Sequence, residues 1–230
     1  MLFDDLHLDL PGGRWTCLLG PSGVGKTSLL RMIAGIGGGD REVEITCGDG
    51  KPLHGRAAYM AQQDLLLPWL SVLDNALLGS RLRGEGRKRE PLARELLKSV
   101  GLGDRLHDRP AALSGGMRQR VALVRTLVEE RPVVLMDEPF SGLDAITKLE
   151  LQSLAARMLR GRTVLLVTHD PLEALRLGHQ LLVLSGRPVR FEPATVPPSP
   201  TPRDVRDHSV LALQGDLLDL LTQAKLAEVA

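Results

Sequence analysis

The segment at residues 20 to 27 matches the phosphate-loop pattern G-x-x-x-x-G-K-[ST] at every position. Backbone N–H groups of such a loop, and the start of the helix that follows, bind phosphate. Lys26 is expected to reach the β and γ phosphates, and the Thr27 hydroxyl to hold Mg²⁺. The segment therefore predicts a nucleoside triphosphate site. Its residues, with the serine after them, are Gly20, Pro21, Ser22, Gly23, Val24, Gly25, Lys26, Thr27 and Ser28.

Polar residues follow three other apolar segments. Asp137 can hold Mg²⁺ through water, and Glu138 can polarise an attacking water as general base, although the pair could also simply cap a turn. His169 could hydrogen-bond the γ-phosphate or orient that water, but a lone histidine at a strand end is more often structural. Gln62 could contact both Mg²⁺ and water, which is a weak signal by itself.

A second helix start of the anion-binding kind lies far from the first. Ser114, Gly115 and Gly116 belong to the segment 113–120, which directly precedes an apolar helical stretch at 121–127. Two such starts in one chain favour a sandwich dimer, in which each subunit closes over the nucleotide of the other.

Buried strands and helices alternate around these residues. This alternation predicts an α/β fold with a parallel sheet and right-handed crossovers. Residues 69–128 are predicted to be helical, with a solvated loop at 84–90 between helices. Residues 43–45 are predicted to form a small antiparallel strand piece. The predicted strands are 6–10, 15–19, 57–61, 132–136, 163–167 and 181–184, and the first predicted helix is 28–34.

The C-terminal part has a different composition. Five prolines between Pro193 and Pro202 predict an extended, linker-like segment. The leucine-rich stretch at 210–229 predicts an amphipathic helix that docks on its own domain by default, with a partner as the alternative. The expected organisation is a main domain at 1–192, a linker at 193–203 and a helical tail at 204–230.

Composition limits the classes of function. The net charge of +1 favours neither nucleic acid nor a polybasic membrane contact. Cys17 and Cys47 form no CxxC pair and are expected to be packing residues. No apolar run approaches the roughly 18 residues that span a bilayer, and the N-terminus lacks the order of a signal peptide, so any membrane role is expected to be peripheral.

The motifs together resemble the nucleotide-binding subunit of an ATP-binding-cassette (ABC) transporter. Residues 113–116 resemble the signature motif, Asp137 and Glu138 the Walker B motif, and 141–144 the D-loop. His169 resembles the switch histidine and Gln62 the Q-loop glutamine. The resemblance covers roughly residues 5 to 190, in the order and spacing of the family.

This resemblance implies a P-loop ATPase fold with an α-helical subdomain at about 69–128 and a small antiparallel β subdomain. It implies that Ser114 and Gly116 contact the γ-phosphate of ATP bound to a second copy, and that Asp144 couples the two sites. The segment from Gln62 to Asn75 would receive the coupling helix of a membrane permease. ATP and Mg²⁺ would be bound at the cytoplasmic face of the bacterial inner membrane, and hydrolysis would drive transport.

Three features resemble the importers of nitrate, sulfonate, taurine and hydroxymethylpyrimidine: residues 65–69, residues 185–188 and the short C-terminus. Such importers also use a solute-binding protein. Within this group we expect a pyrimidine precursor of thiamine as the solute. The alternatives are an exporter subunit, or a cassette ATPase that acts on nucleic acid. The single cassette and the absence of sustained heptads and of a basic patch count against the nucleic-acid alternative.

Two positions depart from the family pattern. Met117 stands where a glutamine is usual, which removes one polar contact. Family members usually carry a further strand before the match to Asp5 and Leu6, with an aromatic residue that stacks on adenine. Three explanations are open: the start codon is misplaced, Phe3 or a residue of the partner copy replaces the aromatic residue, or the base selectivity is poor.

Overall fold

The computed structural model describes residues 6–36, 44–186 and 188–227. These residues form two compact units. The first contains the described residues up to Ala57, together with Pro132–Glu138 and the residues from Leu159 onward. The second contains Ala58–Arg131 and Pro139–Met158. Phe3, Asp5, the glycine run at 37–39 and Arg187 lie outside the described residues, so the expectations placed on them are not addressed.

The described residues contain six strands; β2 lies mainly in the second unit, and the other five form the sheet of the first unit, in the order β3-β4-β1-β5-β6. Neighbours are parallel, except that β6 runs antiparallel to β5. The central strands are apolar and buried, as expected for a sheet covered on both faces. The strands are β1 (Trp15–Leu19), β2 (Ala57–Met60), β3 (Val133–Asp137), β4 (Thr163–Val167), β5 (Gln180–Ser185) and β6 (Arg190–Ala194).

The register of this sheet brings the carboxyl ends of three strands level. Cys17 of β1 lies beside Leu166 of β4 and Leu181 of β5. Asp137, the last residue of β3, lies beside Val167, the last residue of β4. The residues that follow β1, β3 and β4 therefore emerge at one edge of the sheet, where parallel sheets bind ligands.

Eight α-helices accompany the strands in the described part of the chain. Helices α1, α7 and α8 belong to the first unit, and α2 to α6 belong to the second. Their bounds are α1 (Lys26–Ile33), α2 (Val72–Ala76), α3 (Leu78–Leu82), α4 (Gly86–Ser99), α5 (Gly115–Val128), α6 (Ala145–Met158), α7 (Pro171–Leu177) and α8 (His208–Leu226). The predicted parallel α/β fold with a helical part is confirmed.

Helix α4 corrects the loop predicted at 84–90, because it begins at Gly86. Arginine, lysine and glutamate are good helix formers even where the helix is fully solvated. Two ion pairs add to this: Glu90 bonds Arg94 one turn later, and Arg89 bonds Glu130, which follows α5. Residues 86–90 are therefore helical although they lack apolar periodicity.

Two predicted strands are absent from the described residues. Residues 6–10 run without strand pairing up to the turn at Gly12 and Gly13. Glu44 and Ile45, the described part of the predicted antiparallel piece, are also not in a strand. The antiparallel pairing within the first unit is made instead by β5 and β6, and β6 was not predicted.

The C-terminal helix is confirmed, and α8 packs against α7 and β5 of the first unit. The predicted extended segment at 193–203 is only partly so: Pro193 and Ala194 belong to β6, and the chain bends at 198–199 and 201–202. The segment is held against the same unit. Arg203 is only 5% exposed, and its guanidinium donates to the carbonyls of Leu175 in α7 and of Pro197 in the segment itself. No helix in the described part of the chain is both long and apolar enough to cross a membrane.

Candidate active site

The phosphate loop connects β1 to α1 and depends on glycine at defined positions. Gly20 has φ 145°, and a Cβ there would lie 2.8 Å from the Leu184 carbonyl oxygen. Gly23 and Gly25 have φ 89° and 104°, in the region that favours glycine. Gly25 precedes the first residue of α1, and no side chain caps this helix start. Its N–H groups can therefore bind an anion.

Lys26 is buried at the start of α1. Its ammonium donates to the carbonyl oxygens of Gly20 and Pro21, at 2.7 and 2.6 Å. These contacts hold the single cation of the loop over the loop's own backbone. The loop thus combines N–H donors with a positioned positive charge, which fits a polyphosphate.

Asp137 ends β3 and is 2% exposed. The Thr27 hydroxyl donates to its carboxylate, and the other oxygen, Oδ2, is buried with no hydrogen-bond partner among the described residues. The pKa of Asp137 is raised by burial and by the charge of Glu138, which outweigh the Thr27 hydrogen bond and the charges of Arg31 and Lys26. A buried, incompletely satisfied carboxylate beside a hydroxyl fits Mg²⁺, which takes oxygen ligands.

Glu138 follows Asp137 in a left-handed backbone conformation, with φ 47°. Its N–H donates to the Val167 carbonyl at the end of β4, which fixes the strand terminus. Its Oε2 lies 3.2 Å from Nδ1 of His169. A non-glycine residue with this φ is uncommon, so the backbone is strained where the carboxylate is presented.

His169 lies between β4 and α7. The next residue, Asp170, caps α7 by accepting from the N–H groups of Leu172 and Glu173. The Asp170 N–H in turn donates to the Thr168 hydroxyl. This capped turn positions the His169 imidazole beside Glu138 at the sheet edge.

The second unit contains the other predicted site residues. Ser114 is the N-cap of α5, and its hydroxyl accepts from the Met117 N–H at 3.3 Å. A Cβ at Gly116 would lie 3.3 Å from the Leu143 side chain, so this position has little room for a larger residue. Asp144 accepts from the Thr147 N–H at the start of α6, and the hydrogen bonds of Thr147 lower its pKa. Asp144 is therefore ionised at neutral pH.

Gln62 is exposed in the segment after β2 and lines a cavity of about 480 Å³ within the second unit. Gly115 lines the same cavity. The other lining residues are Gln63, Asp64, Leu65, Gln119, Ser141 and Gly142. Residues of the predicted Q-loop, signature and D-loop segments thus share one cavity.

Two arginines of α5 were not singled out from the sequence. Arg118 donates to the Asp64 carboxylate, and Arg125 to the Asp64 carbonyl. Their spacing of about two turns indicates a common helix face, but no sequence pattern identifies Asp64 as their partner.

The structure thus groups the predicted residues in two sets. The phosphate loop, Asp137, Glu138 and His169 lie at the sheet edge of the first unit. Gln62, Ser114, Gly115, Gly116 and Asp144 lie in the second unit.

Comparisons with known proteins identify the family of the chain. Residues 3–141 match the family model for the ABC transporter. The chain is 44% identical to "Aliphatic sulfonates import ATP-binding protein SsuB 1" of Rhodococcus jostii, over 96% of this chain and 87% of that protein. It is 42% identical to an "Uncharacterized ABC transporter ATP-binding protein" of Haemophilus influenzae, over 96% of this chain and 92% of that protein.

Among solved structures, the chain resembles the ATP-binding cassette MJ0796 in a dimeric post-hydrolysis state bound to ADP and Pi. The TM-score is 0.71 at 27% identity, covering 88% of this chain and 91% of that one. A second dimeric structure of the same cassette gives a TM-score of 0.70 at 28% identity, over 82% of this chain and 86% of that one.

The chain therefore belongs to the ABC transporter family, and its fold is that of an ABC ATPase cassette. It is the ATP-binding subunit of an ABC importer, and its activity is ATP hydrolysis that drives transport.

Proposed function

We propose that two copies of this chain bind two ATP molecules between them and that Glu138 activates the attacking water. One observation carries this proposal: the strained backbone at Glu138 presents its carboxylate beside His169, next to the Asp137–Thr27 pair. The dimeric relatives and the second anion-binding helix start at Ser114 support the sandwich arrangement.

Each group has a defined task in this proposal. Lys26 and the loop N–H groups bind the phosphates, and Thr27 and Asp137 hold Mg²⁺, with Gln62 contacting the ion and the water. Mg²⁺ neutralises charge on the β and γ phosphates. Glu138 accepts the proton of the attacking water, while His169 orients Glu138 and contacts the γ-phosphate. Ser114 and Gly116 of the second copy complete the γ-phosphate site, and Asp144 links the two sites.

Replacing Glu138 by glutamine tests this proposal. Because glutamine keeps the shape but cannot accept the proton, we expect turnover to fall by roughly 10²- to 10⁴-fold. ATP should still bind, and the unhydrolysed nucleotide should hold the two copies together. The measurements are phosphate release and light scattering on a sizing column with ATP and Mg²⁺. Rapid hydrolysis by the variant, or a monomer in the presence of ATP, would contradict the proposal.

We propose further that the segment from Gln62 to Asn75 is the docking surface for a membrane permease. Trp69 is 66% exposed, which is unusual for so large an apolar side chain. The fully buried Asn75 holds the loop that carries it, because its amide bonds the backbone at Leu67, Leu70 and Ser71. A rigid loop that presents an exposed tryptophan suits an apolar partner surface. We expect that Trp69→Ser abolishes co-purification of the permease and leaves ATP hydrolysis by the isolated chain intact. Unchanged co-purification would contradict this proposal.

For the solute we propose an aliphatic sulfonate, delivered by a solute-binding protein at the outer face of the membrane. The relative described above whose name gives a solute, the Rhodococcus jostii protein, is named for aliphatic sulfonate import, which favours sulfonate over the pyrimidine expected from the sequence. The chain itself would act at the cytoplasmic face. Uptake of an alkanesulfonate, compared with a pyrimidine, in cells with and without this chain distinguishes the two. Uptake of the pyrimidine alone would reject the sulfonate assignment.

A further inference from the structure

Asp64 joins two segments that the proposed mechanism uses separately. Its Oδ2 accepts from Nε of Arg118 at 3.0 Å, across 54 residues of sequence, and its Oδ1 accepts from the Leu66 N–H at 3.1 Å. The same guanidinium donates through Nη1 to the Leu113 carbonyl at 3.0 Å. Leu113 directly precedes Ser114, the N-cap of α5. One arginine therefore connects the start of α5 to the segment that carries Gln62.

Arg125, about two turns further along α5, hydrogen-bonds the backbone of the same segment. It donates through Nη2 to the Asp64 carbonyl at 2.6 Å and through Nη1 to the Leu65 carbonyl at 3.0 Å. Leu65 has φ 45°, a left-handed conformation that is uncommon for a leucine. Such strain persists only where surrounding contacts fix the backbone, and the two arginine contacts lie at this residue and the one before it.

These contacts belong to one compact unit and border its cavity, which Gln62, Asp64 and Leu65 line from one segment and Gly115 from α5. The arginines therefore set the separation between the two sides of the cavity. Because a guanidinium fork fixes direction as well as distance, it transmits a displacement of α5 to the Gln62 segment.

We propose that Asp64, held by Arg118 and Arg125, is a positioning residue that makes Gln62 and Ser114 move as one body. This inference rests on the proposed function, in which Gln62 contacts Mg²⁺ and water and Ser114 contacts the γ-phosphate of the second copy. When the start of α5 closes on the ATP of the second copy, the segment that carries Gln62 moves with it. The contact is not needed for stability, because Asp64 and Arg118 remain 29% and 38% exposed and exposed ion pairs stabilise little.

The test is steady-state ATP hydrolysis by the full chain over a range of ATP concentrations. For Asp64→Ala we expect kcat to fall by about tenfold or more, since small misplacements near the reacting groups have large effects. KM for ATP should change little, because the phosphate loop belongs to the other unit. Arg118→Lys should behave alike, since a compact ammonium lacks the rigid planar fork whose separate Nε and Nη1 donors reach Asp64 and Leu113. The double variant Asp64→Ala with Arg118→Ala should be no slower than either single alanine variant.

Asp108→Ala is the matched control, because Asp108 forms a comparably exposed ion pair with Arg105 in the same unit, away from the cavity. It should leave kcat and KM unchanged. The urea midpoint of Asp64→Ala should equal that of the wild type, and a kcat loss that follows a lower midpoint would overturn the positioning role. Unchanged kcat in Asp64→Ala, or additive losses in the double variant, would overturn it as well. A wild-type chain that binds ATP without hydrolysing it would overturn the proposed function, and this inference with it.

Discussion

His179 is neutral in the folded protein because its two ring nitrogens have opposite roles. Nδ1 accepts from the Trp15 N–H, so Nε2 carries the proton and donates to the Thr201 hydroxyl. Burial lowers the pKa of His179, and the charges of Arg14 and Arg203 lower it further. Protonation would place a second N–H against the one from Trp15.

Stability should therefore fall as the pH falls through about 6.5, the ordinary histidine pKa, because the unfolded chain takes up the proton first. The loss continues down to the lowered pKa of the folded state. Urea unfolding at a series of pH values should give a shallower acid slope for His179→Gln than for the wild type. The exposed His54, changed to glutamine, is the control. Equal slopes for the wild type and His179→Gln would rule out this origin of the pH dependence.

At the scale of elements, Arg203 fastens the proline-rich segment before α8 to the end of α7. Its guanidinium donates to the carbonyls of Leu175 and Gly178 at 2.6 and 2.7 Å, and to those of Pro197 and Ser199 at 2.9 and 2.8 Å. Carbonyls at a helix C-terminus lack partners within the helix and attract positive charge. The linker-like composition of this segment thus coexists with a specific anchor.

Arg203→Met keeps the length of the side chain but leaves these buried carbonyls without donors. We expect a loss of about 3 kcal/mol in the free energy of unfolding, since hydrogen bonds to a charged group are strong and unmet buried acceptors are costly. Chemical denaturation followed by circular dichroism measures it. Arg206→Met, on an exposed arginine paired with Asp204, should leave the midpoint unchanged. Equal midpoints for the two variants would show that the anchor is dispensable.

At the scale of the whole molecule, a sandwich dimer makes every site from two copies, and two inactive variants should then complement each other. Lys26→Ala removes the phosphate-loop charge, and Ser114→Arg blocks the second helix start. In a mixed dimer, one site carries both defects and the other carries neither. Half of the dimers in an equal mixture are mixed, and each keeps one of its two sites, so we expect about a quarter of wild-type hydrolysis if the sites act independently. Phosphate release by each variant alone should be near zero, and a mixture that stays inactive would argue against composite sites.

The elements with long apolar runs were predictable from the sequence. Trp15–Leu19 and Thr163–Val167 are strands with the predicted bounds, because buried strands of a parallel sheet need continuous apolar residues. Strand β6 escaped because it contains Pro193, which is tolerated only since β6 is an edge strand. The start of α4 was not predicted because one of its stabilising contacts, the ion pair of Arg89 with Glu130, joins residues far apart in the sequence.

The same distinction applies to the candidate site. The phosphate loop, Asp137, Glu138 and His169 form local patterns that predict their own context, and they do meet at one sheet edge, while their chemical roles stay predictions. Asp64 carries no pattern, since its significance depends on Arg118 and Arg125, which reach it only through the fold. Pairings of this kind are tertiary and cannot be derived from spacing.

The burial of Cys17 in the middle of β1 makes its thiol an intrinsic probe of when the central sheet opens. Its side chain is fully inaccessible, and burial, with the nearby charge of Glu173, raises the pKa of its thiol, which suppresses the reactive thiolate. Cys47 is partly accessible. An alkylating reagent should therefore mark Cys47 in the native state and Cys17 only when the central sheet opens. Mass spectrometry of singly and doubly marked chains would then time that opening, with and without nucleotide, with no engineered label.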